Sequence, residues 1–176
     1  MPPPYWAFAW AGGQALARYL LDNPQLVRGK HVLDLGAGSG LGAIAAMKAG
    51  AASGTAVDID AFAAAAMAVN AKANDVQIDV TTDDPLGAAP GRHDVVLVGD
   101  LFYERTLAER VLAYIEAAAV AGALVLIGDP KRNYFPEGRF TKAVEYQVPV
   151  TRELEDALIK RTAVWRLETG PGLPRA

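Results

Sequence analysis

Residues 32–42 read Val32-Leu-Asp-Leu-Gly-Ala-Gly-Ser-Gly-Leu-Gly42, an apolar run that breaks into spaced glycines. The pattern predicts a strand over 31–35, a glycine loop, and a helix over 41–48 ended by Gly50. Without Cβ atoms at Gly36, Gly38 and Gly40, the loop backbone can approach a bulky charged molecule. The helix start adds unpaired N–H groups and the positive end of its dipole. A second apolar strand, expected over 54–59, carries Asp58 near its end. That is roughly 20 residues past the first glycine, where nucleotide-binding α/β folds place a carboxylate for ribose hydroxyls.

The glycine register separates two cofactor classes. A dinucleotide fingerprint G-x-G-x-x-G begun at Gly36 ends on Leu41 and fails. Begun at Gly38 it ends on Ala43, which meets the looser form but starts two residues late. Asp34-x-Gly36-x-Gly38-x-Gly40 describes the stretch better, with an acid on the last strand turn. Asp34 would repel a pyrophosphate and favour a sulfonium that carries an ammonium group. The expected cofactor is therefore S-adenosylmethionine.

Outward from this loop, helical spacing predicts a helix over about 12–21, stopped by Asp22-Asn23-Pro24. Asp60 is the expected cap of an alanine-rich helix that runs to about Ala73. Strands are expected over 76–80, 94–99 and 123–127, and Thr106-Leu-Ala-Glu109 reads as a capping box opening a helix that ends at Gly122. Two closing strands, 143–150 and 159–167, flank a short charged helix. Strand–helix alternation followed by a strand–strand ending predicts an α/β fold: a doubly wound, mostly parallel sheet with a reversed last strand. One domain is expected over 1–168, with an N-terminal helix, a core from about residue 30, and a flexible tail over 169–176.

Composition narrows the chemistry. The 176 residues are 52% hydrophobic and 21% charged, with a formal net charge of −3, no cysteine and two histidines. The absence of cysteine excludes disulfides, a thiol nucleophile and zinc–thiolate sites. His31 and His93 have no partner at metal-ligand spacing, so no metal is expected, and neither serine lies in G-x-S-x-G. The acidic balance argues against nucleic acid as a partner. No stretch suits a membrane span, and the Met-Pro-Pro-Pro-Tyr start lacks a basic n-region, so a cytoplasmic location is expected.

In an open parallel sheet, ligands bind beyond the carboxyl ends of the strands. The sequence puts acids at those ends: Asp34, Asp58, Asp83 with Asp84, Asp100, and Asp129. Five positions in phase with five strands predict a rim for a cationic ligand. Trp6, Phe8 and Trp10 alternate with alanines, and suit either a lid on the sheet or a wall of the cofactor pocket. Lys131 and Arg132 read as solvated charges beside Asp129.

With these features placed, the chain resembles a class I methyltransferase of the seven-stranded, Rossmann-like type. Three segments are similar to the electron-transfer-flavoprotein β-subunit lysine methyltransferases: Pro4-Tyr-Trp-Ala-Phe-Ala-Trp-Ala-Gly-Gly-Gln14, Gly99-Asp-Leu-Phe-Tyr-Glu104 and Gly128-Asp-Pro-Lys-Arg132. The resemblance implies methyl transfer from S-adenosylmethionine to lysines of the flavoprotein β subunit. It implies that Gly36, Gly38 and Gly40 line the methionine part, with Asp34 near its ammonium; of the N-terminal aromatics, Trp10 is the expected cofactor contact if they form the pocket wall. Asp58 would bind the ribose, Ile59 would pack on the adenine, and Asp83 or Asp84 would reach its amino group. Asp100, Phe102 and Tyr103 would flank the methyl and the incoming amine. Phe102 has plain core packing as its competing reading. The family usually has glycine at the position of Lys131, and carries a further segment ahead of the Tyr-Trp stretch. A small-molecule amine, a ribosomal protein, or a binding module without transfer are the rival expectations.

Overall fold

Alternation along the apolar strands decides which face each residue buries. The computed structural model describes residues 4–152 and 157–167. β1 (His31–Leu35), β2 (Ser53–Val57), β3 (Asp79–Thr81), β4 (Val95–Gly99), β5 (Leu124–Asp129), β6 (Phe140–Pro149) and β7 (Ile159–Leu167) join one sheet in the order β3-β2-β1-β4-β5-β7-β6. The pairs from β3 to β5 are parallel, whereas β7 runs antiparallel to both β5 and β6. The last strand in the chain is thus the reversed one.

Among the described residues, the α-helices that cover the sheet are α1 (Ala11–Asp22), α2 (Leu41–Lys48), α3 (Ala61–Ala73) and α4 (Arg105–Val120). Val32, Val95, Leu97 and Leu126 turn to one face and meet Leu16 and Leu20 of α1 and Ala45 and Ala46 of α2. Leu33, Leu35, Val96, Val98 and Ile127 turn to the other and meet Val111, Ile115 and Ala118 of α4. Met67 of α3 closes a smaller cluster with Ala43 and Ala56. Period-two alternation also puts Asp34 on the face of Val32, beneath α2. The one charged residue of β1's buried stretch therefore points at the start of α2, not into the core.

Chain order reverses between β1 and β4, which lie side by side. This switch point leaves a crevice at the carboxyl ends of the two strands.

Several boundaries move for local reasons. The third strand starts at Asp79, because the Val76 N–H closes the end of α3 onto the Ala71 carbonyl and Asp75 takes a φ of 56°. The fourth helix starts earlier than the capping box at Thr106 implies. Glu104 is its N-cap, and its two carboxylate oxygens accept from Thr106 N at 2.9 Å and Leu107 N at 2.7 Å. β6 starts at Phe140, paired with Leu167, and carries an irregularity between Lys142 and Val144. The charged helix expected between β6 and β7 and the tail expected from 169 fall largely on 153–156 and 168–176, outside the described residues.

Candidate functional site

The crevice is a cleft with about 440 Å³ of space, counted to its open mouth. Asp34, the loop from Gly36 to Ser39, and Leu41 and Gly42 of α2 form one side of the lining. Gly99 and Asp100 at the end of β4 lie across from them, and Phe8, Ala9 and Trp10 complete the wall with Gly13 and Leu16 of α1.

The glycine loop is left-handed at all three positions, with φ of 59° at Gly36, 54° at Gly38 and 84° at Gly40. At Gly38 a second constraint applies, since a Cβ there would stand 3.2 Å from the Trp6 carbonyl oxygen. The N-terminal strap therefore lies directly over the loop. Of its aromatics, Trp6 packs on the Ala43–Met67 cluster, whereas Phe8 and Trp10 line the cleft. Trp10 is fixed by its indole N–H, which donates to the Tyr5 carbonyl at 2.8 Å.

Asp34 is buried, and one of its oxygens accepts from Ala43 N at 2.8 Å. Burial pushes its carboxyl up to about 7, the Ala43 N–H opposes the shift, and the charge of Asp58 adds to it. Asp58 lies just past the end of β2, and its oxygens accept from Gly38 N at 2.9 Å and Asp60 N at 3.0 Å. It thus ties the glycine loop to the start of α3, and each oxygen retains a lone pair for a further donor. Ile59 beside it is 75% exposed, a bare apolar surface next to that carboxylate. Acceptors at Asp34 and Asp58, an apolar flank and an uncovered backbone fit a ligand bearing an ammonium, hydroxyls and a flat ring. S-adenosylmethionine is such a ligand.

Asp100 holds a left-handed φ of 57°, uncommon for a residue with a side chain. Two partners account for it. One carboxylate oxygen accepts from Gly13 N in the first turn of α1 at 2.9 Å. The other accepts from Arg132, with Nη2 at 2.6 Å and Nε at 3.1 Å. Arg132 is accordingly no solvated charge. Its guanidinium is largely buried and also sits over the Trp10 ring, 5.3 Å from the centroid. Its backbone N–H donates to Asp129 at 2.6 Å.

The acidic rim divides by partner. Asp34 and Asp100 line the cleft, and Asp58 braces the loop behind it. Asp84 instead pairs with Arg110 at 2.8 Å and accepts from Leu86 N, so its carboxylate is drawn toward α4. Asp83 is exposed beside it and does not line the cleft. Asp129 is fully buried, one of its oxygens has no partner, and its carboxyl is pushed up to about 7, first by burial. The expectation of one continuous negative crown is thus corrected: arginines offset two of the acids, and burial favours protonation of two more.

The two aromatics after Asp100 part company. Phe102 is 0% exposed and packs edge-on against Phe135 at 5.6 Å, with Phe140 at 6.0 Å, so core packing is its role. Tyr103 shares its turn but points outward and is 59% exposed. Its hydroxyl is held above its usual pKa by partial burial and then by the charges of Asp58 and Glu104, so it stays a neutral donor.

Sequence reasoning missed Arg132 as a partner of Asp100 and missed the contact between α1 and the end of β4. Gly12-Gly13 was the available signal: glycines in a helix's first turn weaken it unless another backbone comes close. A Cβ on Gly12 would lie 2.0 Å from the Gly128 carbonyl oxygen and 2.6 Å from Asp100 Oδ2. Lys131 takes φ 66°, so the loop after β5 holds a left-handed conformation at a residue that carries a side chain.

Comparisons with known proteins agree with this architecture. Residues 15–117 match the family model described as ribosomal protein L11 methyltransferase (PrmA). Magnesium protoporphyrin IX methyltransferase from Synechocystis PCC 6803, solved with bound SAH, superposes with a TM-score of 0.63 at 20% identity, over 89% of this chain and 81% of that one. At that identity it supports the fold. The electron transfer flavoprotein beta subunit lysine methyltransferase of Rattus norvegicus is 40% identical over 168 residues, or 92% of this chain and 66% of the rat protein. The Danio rerio protein of the same name is 39% identical over 176 residues, covering 97% of this chain and 68% of its own length. The chain therefore spans about two thirds of the length of these relatives. On fold, glycine loop and this extent of identity, it belongs to the electron transfer flavoprotein beta subunit lysine methyltransferase family.

Proposed function

We propose that this chain transfers a methyl group from S-adenosylmethionine to lysine side chains of the electron transfer flavoprotein β subunit. One observation carries the reading: the switch point sets an uncovered glycine loop and the acid Asp34 on the β1 side of one cleft, with Asp100 on the β4 side. The names of the relatives supply the acceptor.

When bound, the cofactor supplies a methyl carbon already activated by its sulfonium. The protein's task is then alignment and exclusion of water. Asp34 offers its charge to the donor's ammonium, and Asp58 accepts from its ribose hydroxyls. Ile59 gives the adenine an apolar face. An incoming lysine has a pKa of about 10.4 and must present an unshared pair. Asp100 attracts and orients that side chain; as a carboxylate it also favours the charged amine, so proton loss goes to solvent. Tyr103 presents a neutral hydroxyl and a ring face to the ammonium. Charge disperses as the methyl moves, and the indole of Trp10 favours that change over bulk water.

Isotopically labelled donor, the protein and purified flavoprotein β subunit test the reading, followed by peptide mass spectrometry. Methylated lysines in the subunit support it. Label confined to ribosomal protein L11, a reading that the match over residues 15–117 favours, or confined to small amines, overturns the acceptor. Donor binding without any transfer overturns the enzyme.

A further inference from the structure

Arg132 touches both halves of the cleft, and neither contact was needed to place the donor or the acceptor. Its guanidinium lies over the ring of Trp10, which walls the donor side. The same group donates twice to one oxygen of Asp100, the acid of the acceptor side, while the other oxygen of Asp100 holds Gly13 at the start of α1. Its own backbone is pinned by Asp129, so the side chain is anchored at its root as well as its tip. We infer that Arg132 is a positioning residue for methyl transfer, coupling the donor wall at Trp10 to the orientation of Asp100.

The chemistry favours arginine specifically. A guanidinium is planar, so it can stack on an indole with its face while two N–H groups of its edge donate together, here to a single oxygen of Asp100. Lysine would keep the positive charge and lose both the fork and the stack. With Asp100 at φ 57°, a conformation that side-chain-bearing residues rarely hold, small changes at the guanidinium shift the carboxylate. Misplacement of a reacting pair by about 1 Å can cost on the order of a hundredfold in rate. Filling the donor side presses on Trp10, and through Arg132 this sets the acid that meets the amine.

This inference rests on the methyltransferase reading, and two measurements keep the two apart. In solution NMR of the wild-type protein, saturating S-adenosylhomocysteine should shift the Trp10 indole N–H and the Arg132 Nε–H signals together, with no acceptor present. In turnover assays, Arg132→Lys should lower kcat at least about tenfold, while affinity for S-adenosylhomocysteine stays within about threefold of wild type. A thermal midpoint close to wild type in Arg132→Lys separates positioning from loss of fold. If the Arg132 signal does not move while the Trp10 signal does, or if Arg132→Lys turns over like wild type, the coupling is overturned. Equal losses in kcat and donor affinity also overturn it, since they mark a general structural role. Failure of S-adenosylhomocysteine to bind the wild-type protein at all overturns the donor reading itself, and this inference with it.

Discussion

Asp34 is held by burial at a carboxyl pKa of about 7, so near neutral pH a cation entering the cleft draws its proton off. Donor affinity should therefore rise with pH and level off above that value, by at most about tenfold per pH unit on the rising limb. Calorimetry of S-adenosylhomocysteine binding across this range, in buffers of different ionisation enthalpy, should show proton release on the acid side. Asp34→Asn should bind more weakly with a flat profile; a retained slope would move the titration to another group. At this scale the sequence was most informative where chemistry is local. Asp34 and the glycines stand out by spacing along one strand and one loop, and Asp58 by its place at the end of the next strand. Phe102 and Arg132 do not, because their partners, Phe135 and Asp100, come from distant parts of the chain. Nothing in Gly-Asp-Leu-Phe-Tyr says which of two adjacent aromatics faces the core.

Among the elements, α1 is joined to the sheet by backbone as well as by the side chains of Leu16 and Leu20. Gly12 and Gly128 approach so closely that a Cβ on either would stand 2.0 Å from the other's carbonyl oxygen. Neither backbone can yield without moving α1 or β5, and the Gly13 N–H to Asp100 would move with them. Gly12→Ala should therefore destabilise the fold by about 2 kcal/mol or more, as overpacking at a rigid contact does. Gly13→Ala is the control: its Cβ would meet nothing nearer than Leu41 Cδ2 at 4.0 Å. It should be tolerated and gain up to about 1 kcal/mol of helix propensity. Denaturant titration of both variants checks the pair, and equal effects would mean that the close approach is absent. Strand and helix existence was legible because the apolar runs are long and broken by glycine. β1 and α2 fall where periodicity puts them. Ends were less legible because they depend on caps: Glu104 begins α4 with its two acceptors, and the capping-box pattern that starts at Thr106 does not outcompete it.

For the whole molecule, two buried carboxyls, Asp34 and Asp129, share one consequence. Each has its folded-state pKa raised from 3.8 to about 7, so the folded protein retains protons that the unfolded chain gives up. Their contribution to stability is complete below about pH 4 and is lost as pH rises through 7. Without ligand, unfolding free energy should fall between those limits, on the order of 3 kcal/mol per carboxyl. Asp129→Asn should flatten the fall; urea titrations at several pH values would show it, and stability rising with pH across the same interval would contradict it. The topology as a whole was readable, since strand–helix alternation with a two-strand ending admits few arrangements. The division of the acidic rim was not, because charge counted along the chain does not reveal which arginine lies beside which acid.

The central claim is that this switch-point cleft holds a sulfonium donor. Titration calorimetry of the purified protein at neutral pH, with S-adenosylmethionine and with NAD in separate runs, tests it most directly. The account predicts one saturable site for S-adenosylmethionine and no heat of binding for NAD. Saturable binding of NAD, or no binding of S-adenosylmethionine, would contradict it.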